Sequence, residues 1–252
     1  MDRLLTFFGV ERGKDEDPQD VFPTGLAPFI RLSIEGQEGG RPALVAEDGA
    51  FGLLPDFATE LSFGRRTYNA RSETVATLPS FRHAWAAGQR CIIPAEAIYE
   101  ACYESGKAVR WRLFQDGEVP LGIAGLYRRW RNPKGGELFT FTMITVNADA
   151  HPMMRRMNKP GDEKRMVVIL DRDDYLPWLT CGLVDARRYF RAWPGTLLGE
   201  PAPLARAPRV VADPPPKDEI KPTPPPKPTP PPPPPPPPPT PTPPPPAQGD
   251  LF

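Results

Sequence analysis

Histidine and cysteine are scarce in this sequence of 252 residues, which contains two histidines and three cysteines. Cys91, Cys102 and Cys181 are scattered without the spacing of metal ligands, and their odd number argues against a disulfide framework. His83 and His151 are too few to complete a zinc site with cysteines so widely separated. We therefore expect no metal, and no motif in the sequence indicates a cofactor.

Long apolar runs and an N-terminal signal are also missing. No apolar run approaches the ~18 residues of a membrane-spanning helix, and the N-terminus lacks the charged-then-apolar layout of a signal peptide. These absences predict a cytoplasmic protein with no membrane partner. A formal net charge of zero excludes a general electrostatic attraction to nucleic acid.

Arginine is the abundant cation. It far outnumbers lysine and occurs in pairs such as Arg65–Arg66, Arg128–Arg129 and Arg155–Arg156. Guanidinium groups suit bidentate contacts with phosphates, so this composition fits local binding sites for nucleic acid. The alternative is a GC-rich genome, which favours arginine, alanine and proline codons without a functional reason.

Proline dominates the C-terminal part of the sequence. Most of the 39 prolines follow Pro201, and the segment 214–246 contains little else. Such a segment has almost no apolar surface to bury, which predicts an extended, disordered polyproline II chain. We therefore predict one domain over residues 1–205, a proline-rich disordered linker over 206–247 and a short terminal peptide over 248–252.

The pattern of apolar residues before position 180 predicts more strands than helices. Helices are expected over 4–10, 79–87 and 173–180, and strands over 29–34, 43–47, 91–94, 111–114, 121–126, 139–146 and 166–170. This order lacks the alternation of strands and helices that a parallel sheet requires. The sequence therefore predicts an α+β or mainly antiparallel body.

One candidate site combines aromatic and basic residues. Gly125–Trp130 ends a strand with a tryptophan and nearby arginines, whose planes suit unpaired bases and phosphates; a core tryptophan beside surface arginines is the more common explanation.

Three polar segments are further candidate sites. Asn69–Thr74 can bind an anion and orient a carbonyl or hydroxyl group, although it fits a capped turn equally well. Pro94–Glu100 follows a buried type of strand, where partial burial would raise the pKa of a glutamate for acid–base work; a solvent-facing loop is the alternative. The turn at Pro160-Gly161 would bring Asn158 and Arg165 beside the preceding strand, or serve as a plain hairpin connection.

The order and spacing of short motifs are more specific than any one of them. Asn-Ala-Arg-Ser-Glu-Thr is followed by Ser-Phe-Arg, Cys-Ile-Ile-Pro-Ala, Tyr-Glu, Ala-Gly-Leu-Tyr and Arg-Met. This order, over roughly residues 4–180, resembles the SRAP family of SOS response-associated peptidases. The resemblance implies a single α+β domain with a curved, largely antiparallel, barrel-like sheet, peripheral helices and a DNA-binding cleft. It also implies binding of single-stranded DNA and processing of abasic sites.

The resemblance implies a mechanism as well. In the family, an N-terminal cysteine offers an amine, with a pKa of about 8, and a thiol to the aldehyde of the ring-opened sugar. The amine forms a Schiff base, and the thiol closes a thiazolidine ring, which cross-links protein to DNA. By the resemblance, Asn69 positions the sugar, and Glu100 handles protons in this condensation and in leader-peptide removal. Arg71 and Arg82 contact phosphates, and Thr145 lies near the site at the end of a strand.

Several positions depart from the family pattern. Residue 2 is Asp2 rather than cysteine, and the internal cysteines have no free α-amine. The family's histidine falls at about Asn158, which cannot shuttle a proton near pH 7, and His151 reaches the site only if its loop folds back. Two explanations fit: the sequence starts late, inside its first helix, or the chain is a catalytically degenerate DNA-binding adaptor.

The last five residues form a separate motif. Gln248-Gly249-Asp250-Leu251-Phe252 resembles the peptide that bacterial repair proteins insert into the sliding clamp, with Gln248 in a polar subsite and Leu251 and Phe252 in an apolar pocket. The linker would give this peptide a reach on the order of 100 Å. Proline-recognition modules are the alternative partners. We expect a monomer whose partners are single-stranded DNA with abasic sites and a bacterial sliding clamp.

Overall fold

A computed structural model of the chain describes residues 3–10, 20–38 and 41–204. No helix among them is long and apolar enough to cross a membrane. The α-helices in this part are α1 Arg3–Phe7, α2 Arg82–Ala86, α3 Tyr175–Thr180 and α4 Leu183–Ala186. The strands are β1 Leu26–Glu38, β2 Arg41–Phe51, β3 Asn69–Arg71, β4 Arg90–Ala95, β5 Ile98–Cys102, β6 Val109–Phe114, β7 Leu121–Arg131, β8 Glu137–Asn147, β9 Arg165–Val167, β10 Ile169–Leu170 and β11 Leu198–Pro201.

Five strands close into a barrel. Around the ring, β1 pairs with β2 and β4, β4 with β7, and β7 with β8, all of them antiparallel. The ring closes where β2 runs parallel to β8, with Ala50 opposite Thr140. Closure pairs the backbone groups that an open sheet edge would expose. The expected α+β fold, with a curved, largely antiparallel barrel and peripheral helices, is confirmed.

Two short strands flank the C-terminal end of β8. On one side β3 runs parallel to it, with Arg71 opposite Thr145. On the other side β9 runs antiparallel, with Val167 opposite Thr145 and Arg165 opposite Asn147. Polar residues from three strands therefore meet at this end of the barrel.

A second, three-stranded antiparallel sheet has the order β11-β6-β5. Within it Glu100 of β5 lies opposite Trp111 of β6. The segment after β8 joins this sheet, because Met157 forms a bridge with Cys102 and the Asn158 N–H donates to the Ala101 carbonyl over 2.6 Å. The small sheet thus brings Glu100 and Asn158 to the same region.

Large apolar side chains fill the core. Phe29 and Phe141 are fully buried, and their ring centroids lie 5.7 Å apart. Trp178 of α3 is also fully buried, and its indole N–H donates to the Cys91 carbonyl over 2.9 Å, which fixes the helix on the barrel. Burial of each such side chain contributes about 1.5–3 kcal/mol to stability.

Some element bounds differ from the predictions. The predicted strand 166–170 is two strands, because Val168 changes its partner: its N–H donates to the Ile144 carbonyl and its own carbonyl accepts from Ala124, each over 2.8 Å. Helices α2 and α3 begin later than predicted. The strands β5 and β11 and helix α4 were not predicted, since they are short and show no sustained apolar periodicity.

Candidate functional site

One cleft collects most of the residues that the sequence indicated. It has a volume of about 1340 Å³ and is lined by residues of both sheets. Asn69, Arg71, Glu100, Thr145 and Asn158 all line it. The sequence motifs lie far apart along the chain, so their convergence is a property of the fold.

The strand β3 presents two of these side chains to the cleft. Asn69 and Arg71 are exposed, whereas Ala70 between them is fully buried. Because side chains alternate along a strand, burial of Ala70 turns its two neighbours toward the opposite side. The parallel pairing of β3 with β8 fixes the position of both residues along β8, with Arg71 opposite Thr145.

Glu100 lies partly buried in the cleft wall, on β5. Burial raises the pKa of its carboxyl group to about 7. Among the described residues, no side chain forms an ion pair or a hydrogen bond with this carboxylate. At neutral pH the group is therefore present in both protonation states, which suits a residue that donates and accepts protons.

Arg165 is the most firmly held cation of the cleft. Its guanidinium donates two hydrogen bonds to the Glu73 carboxylate, of 3.2 and 2.9 Å, and one of 2.9 Å to the Thr145 carbonyl. The Thr145 hydroxyl also accepts from it, over 3.3 Å. Burial is the largest single influence on the pKa of Glu73 and acts to raise it, but the hydrogen bonds and charge of Arg165, together with hydrogen bonds from Ser72 and from the backbone of Glu73, lower that pKa overall. The buried Thr145 therefore positions the Arg165 side chain, in addition to lining the cleft.

Glu163 connects the two arginines of this region. Its carboxylate accepts from Arg71 over 3.1 Å and from Arg165 over 2.7 Å. The amide of Asn147 donates to the same carboxylate over 3.2 Å. The side chain of Glu163 itself lines the cleft.

The strand β6 supplies two further arginines that the sequence analysis missed. Arg110 and Arg112 both line the cleft. The guanidinium carbon of Arg110 lies 3.4 Å from the ring centroid of Tyr99, and Arg110 also pairs with Asp20 over 2.9 Å. Arg112 pairs with Glu200 over 3.5 Å. Arg110 and Arg112 are two positions apart in one strand, and residues at this spacing share one face. This spacing was the sequence signal that could have indicated a basic face.

Two residues that the sequence suggested as candidates for the site lie outside the cleft. Arg82 is exposed on α2 and lines a separate pocket of about 180 Å³ together with Asp56 and Arg128. His151 is buried, and its Nδ1 accepts from the N–H groups of Met153 and Met154 over 3.2 Å each. Burial lowers the pKa of His151. His151 therefore caps a turn and does not replace a histidine in the cleft.

Asn158 does line the cleft, in an unusual backbone conformation. Its φ of 61° lies in the left-handed region, which asparagine tolerates better than most residues. The Lys164 ammonium donates to the Asn158 carbonyl over 3.2 Å and to the Lys159 carbonyl over 2.9 Å, which closes the loop. The loop places Asn158 beside β5, the strand of Glu100.

The fold and the cleft together define a class of protein: a small α+β barrel domain with an arginine-lined cleft and a partly buried glutamate. The model of the SOS response associated peptidase (SRAP) family matches residues 8–194. The chain belongs to this family.

Named relatives support the assignment. Abasic site processing protein YoqW of Bacillus subtilis is 34% identical over 130 residues, which cover 51% of this chain and 54% of that protein. Abasic site processing protein HMCES of Gallus gallus is 28% identical over 198 residues, covering 69% of this chain and 55% of HMCES. The chain thus spans about half the length of the curated relatives it matches.

Solved structures show the same fold. A protein from Bordetella bronchiseptica is 40% identical and superimposes with a TM-score of 0.67, covering 76% of this chain and 90% of that one. A protein from Bacteroides thetaiotaomicron, 22% identical, gives a TM-score of 0.58 over 70% of this chain and 73% of that one. The second likeness concerns the fold alone.

Proposed function

We propose that this chain binds abasic sites in single-stranded DNA within the cleft and processes them there, as part of the response to DNA damage. The observation that carries the proposal is the convergence of Asn69, Arg71 and Glu100 in one cleft, with the pKa of Glu100 raised to about 7. The relatives support it, since YoqW and HMCES are both named abasic site processing proteins.

The chemistry follows from the lesion. A ring-opened abasic sugar carries an aldehyde, which condenses with a primary amine to give an imine and water; among the described residues that line the cleft there is no lysine, so the amine must come from outside that described lining. In its ionised form Glu100 accepts a proton from the attacking amine, and in its protonated form it donates one to the departing hydroxyl group. Asn69 holds the sugar by hydrogen bonds, while Arg71 and Arg165 bind the flanking phosphates.

The position of the cysteines favours a second candidate function. Cys91 and Cys102 are buried, and among the described residues that line the cleft there is no cysteine. These cysteines therefore supply no thiol to a lesion bound there. In the second candidate, the chain binds the lesion without a lasting covalent bond and acts as a DNA-binding adaptor.

A denaturing gel separates the two functions. The full chain is incubated with a single-stranded oligonucleotide that carries one aldehydic abasic site, with and without borohydride, which reduces an imine to a stable amine. Processing gives a shifted covalent band, at least after reduction. The adaptor gives no band in either lane, although the complex persists in a native gel. Failure to bind the abasic oligonucleotide in the native gel would contradict both functions.

Binding of the terminal peptide to a sliding clamp is a further proposal, and Gln248, Leu251 and Phe252 lie outside the described residues. Its support is the sequence: a clamp-like peptide follows a proline-rich linker, which raises the effective concentration of the domain near the clamp. Changing Leu251 and Phe252 to alanine is expected to abolish retention of the chain on immobilised clamp. Unchanged retention would exclude this partner.

A further inference from the structure

The arginines of the cleft are all neutralised within the domain. Among the described residues, those that line the cleft are Arg71, Arg110, Arg112 and Arg165, and each forms an ion pair with a carboxylate. A phosphate that enters the cleft therefore meets arginines that already have an anionic partner. Binding of DNA requires that some of these pairs open.

One carboxylate differs from the others in its position. Glu163 bridges two cleft arginines, with distances of 3.1 Å to Arg71 and 2.7 Å to Arg165, and it lines the cleft itself. Glu73 also pairs with Arg165, at 2.9 Å, but it is not part of the cleft lining. The two oxygens of Glu163 thus occupy the position in which the oxygens of a phosphate would bridge the same two guanidinium groups.

The exposure of these groups determines which pair opens. The side chain of Arg71 is 58% exposed and that of Glu163 is 36% exposed, whereas the side chain of Arg165 is 14% exposed. An exposed ion pair contributes little to stability, so an incoming phosphate displaces it at low cost. Arg165 remains in place because Glu73 and Thr145 still accept hydrogen bonds from its guanidinium group.

We propose that Glu163 is an internal competitor of the DNA backbone, whose carboxylate occupies the phosphate position between Arg71 and Arg165 until DNA displaces it. This rests on the proposed function, because the phosphate belongs to the bound single strand. Displacement breaks the hydrogen bonds that the Glu163 carboxylate accepts from Arg71, Arg165 and Asn147. The competitor lowers the affinity for any single strand by the same amount, so contacts at the lesion contribute a larger share of the net binding free energy.

The variant Glu163→Gln tests the proposal through equilibrium binding of a fluorescent single-stranded oligonucleotide with a stable abasic analogue. We expect the variant to bind about three- to tenfold more tightly than the wild type at low salt, because Arg71 loses its anionic competitor. The slope of the logarithm of the binding constant against that of the salt concentration should stay close to that of the wild type, because both proteins make the same phosphate contacts once Glu163 is displaced. Glu163→Ala, measured in parallel, removes the carboxylate without adding an amide.

Glu137→Gln is the matched control. Glu137 also bridges two arginines, at 3.3 Å to Arg129 and 2.8 Å to Arg131, and its side chain is 39% exposed. It does not line the cleft. This variant changes the net charge by the same amount as Glu163→Gln. Because Glu137 lies outside the cleft lining, we expect the affinity of the variant for the abasic strand to stay within about twofold of the wild type. An equal gain in affinity for the control would assign the effect to net charge and overturn the proposal.

A double variant locates the effect. In a protein that already carries Arg71→Gln, adding Glu163→Gln should raise the affinity for the abasic strand by less than it does in the wild type. Only Arg165 then loses an anionic competitor. Thermal unfolding of each variant checks that the domain is folded. If the wild type binds the abasic strand and neither Glu163 variant binds more tightly, the competitor proposal is wrong while the proposed function stands. If no variant binds single-stranded DNA, the proposed function fails and the competitor proposal fails with it.

Discussion

Replacing Glu100 with glutamine is expected to slow abasic-site processing about 100-fold or more, since general acid–base catalysis contributes roughly 10²–10⁴-fold. Glutamine keeps the size of the side chain but neither gains nor loses a proton near pH 7. The rate of adduct formation, measured on denaturing gels after borohydride reduction, reports this step. The dissociation constant for the abasic strand should change by less than about twofold, because the substitution alters proton transfer rather than phosphate contacts.

The pH profile gives this prediction a second readout. Because the pKa of Glu100 is raised to about 7, the protonated fraction falls as the pH rises through that value. The rate of processing in the wild type should therefore inflect near pH 7, and the inflection should be absent in Glu100→Gln. Glu96→Gln is the control, since Glu96 also lines the cleft but is exposed. An equal loss of rate in both variants would contradict a specific role for Glu100.

Replacing Gly52 with alanine is expected to destabilise the domain by about 2–4 kcal/mol, a sum of backbone strain and overpacking. Gly52 has a φ of 125°, which L-residues rarely adopt. A Cβ atom at this position would lie 2.3 Å from the Gly64 carbonyl oxygen and 2.5 Å from the Gly64 Cα atom. These contacts are with backbone, which cannot move aside as a flexible side chain can. The barrel strand β2 ends here, so the strain acts on the scaffold of the cleft.

Thermal unfolding measures this effect, which should appear as a fall in the midpoint of about 5–15 °C for a domain of this size. Gly135→Ala is the matched control. Gly135 has a comparable φ of 105°, but a Cβ atom there would meet nothing within 4 Å. The control should lose only the conformational part, about 1 kcal/mol. Equal losses in the two variants would show that the Gly52–Gly64 approach does not contribute.

Most strands of the barrel could be predicted from the sequence because their signal is local. Apolar residues in 91–94, 121–126 and 139–146 identify β4, β7 and β8 without knowledge of their partners. The closure of the ring was not visible in any segment, because the parallel pairing of β2 with β8 joins residues distant in sequence. The order of the elements therefore predicted the fold class, whereas the barrel was predicted only from the resemblance to a family.

The site was predictable in its residue types but not in its interactions. Asn69 and Glu100 belong to motifs that the sequence displays, and both line the cleft. The pKa of Glu100 depends on burial between two sheets, which no local pattern encodes. The pairing of Arg165 with Glu73 spans 92 positions, so a polar loop was all that the sequence indicated around Arg165.

The central claim, that the cleft recognises the abasic sugar through Asn69, is tested most directly by one ratio of dissociation constants. The ratio divides the dissociation constant for a single strand that carries an intact nucleotide by that for the same strand carrying a stable abasic analogue. The analogue lacks the aldehyde, so the ratio reports binding without chemistry. We expect the wild type to prefer the abasic strand by about tenfold, the value of one well-formed hydrogen bond to the sugar, and Asn69→Ala to lose this preference. Equal affinity of the wild type for the two strands would contradict the claim.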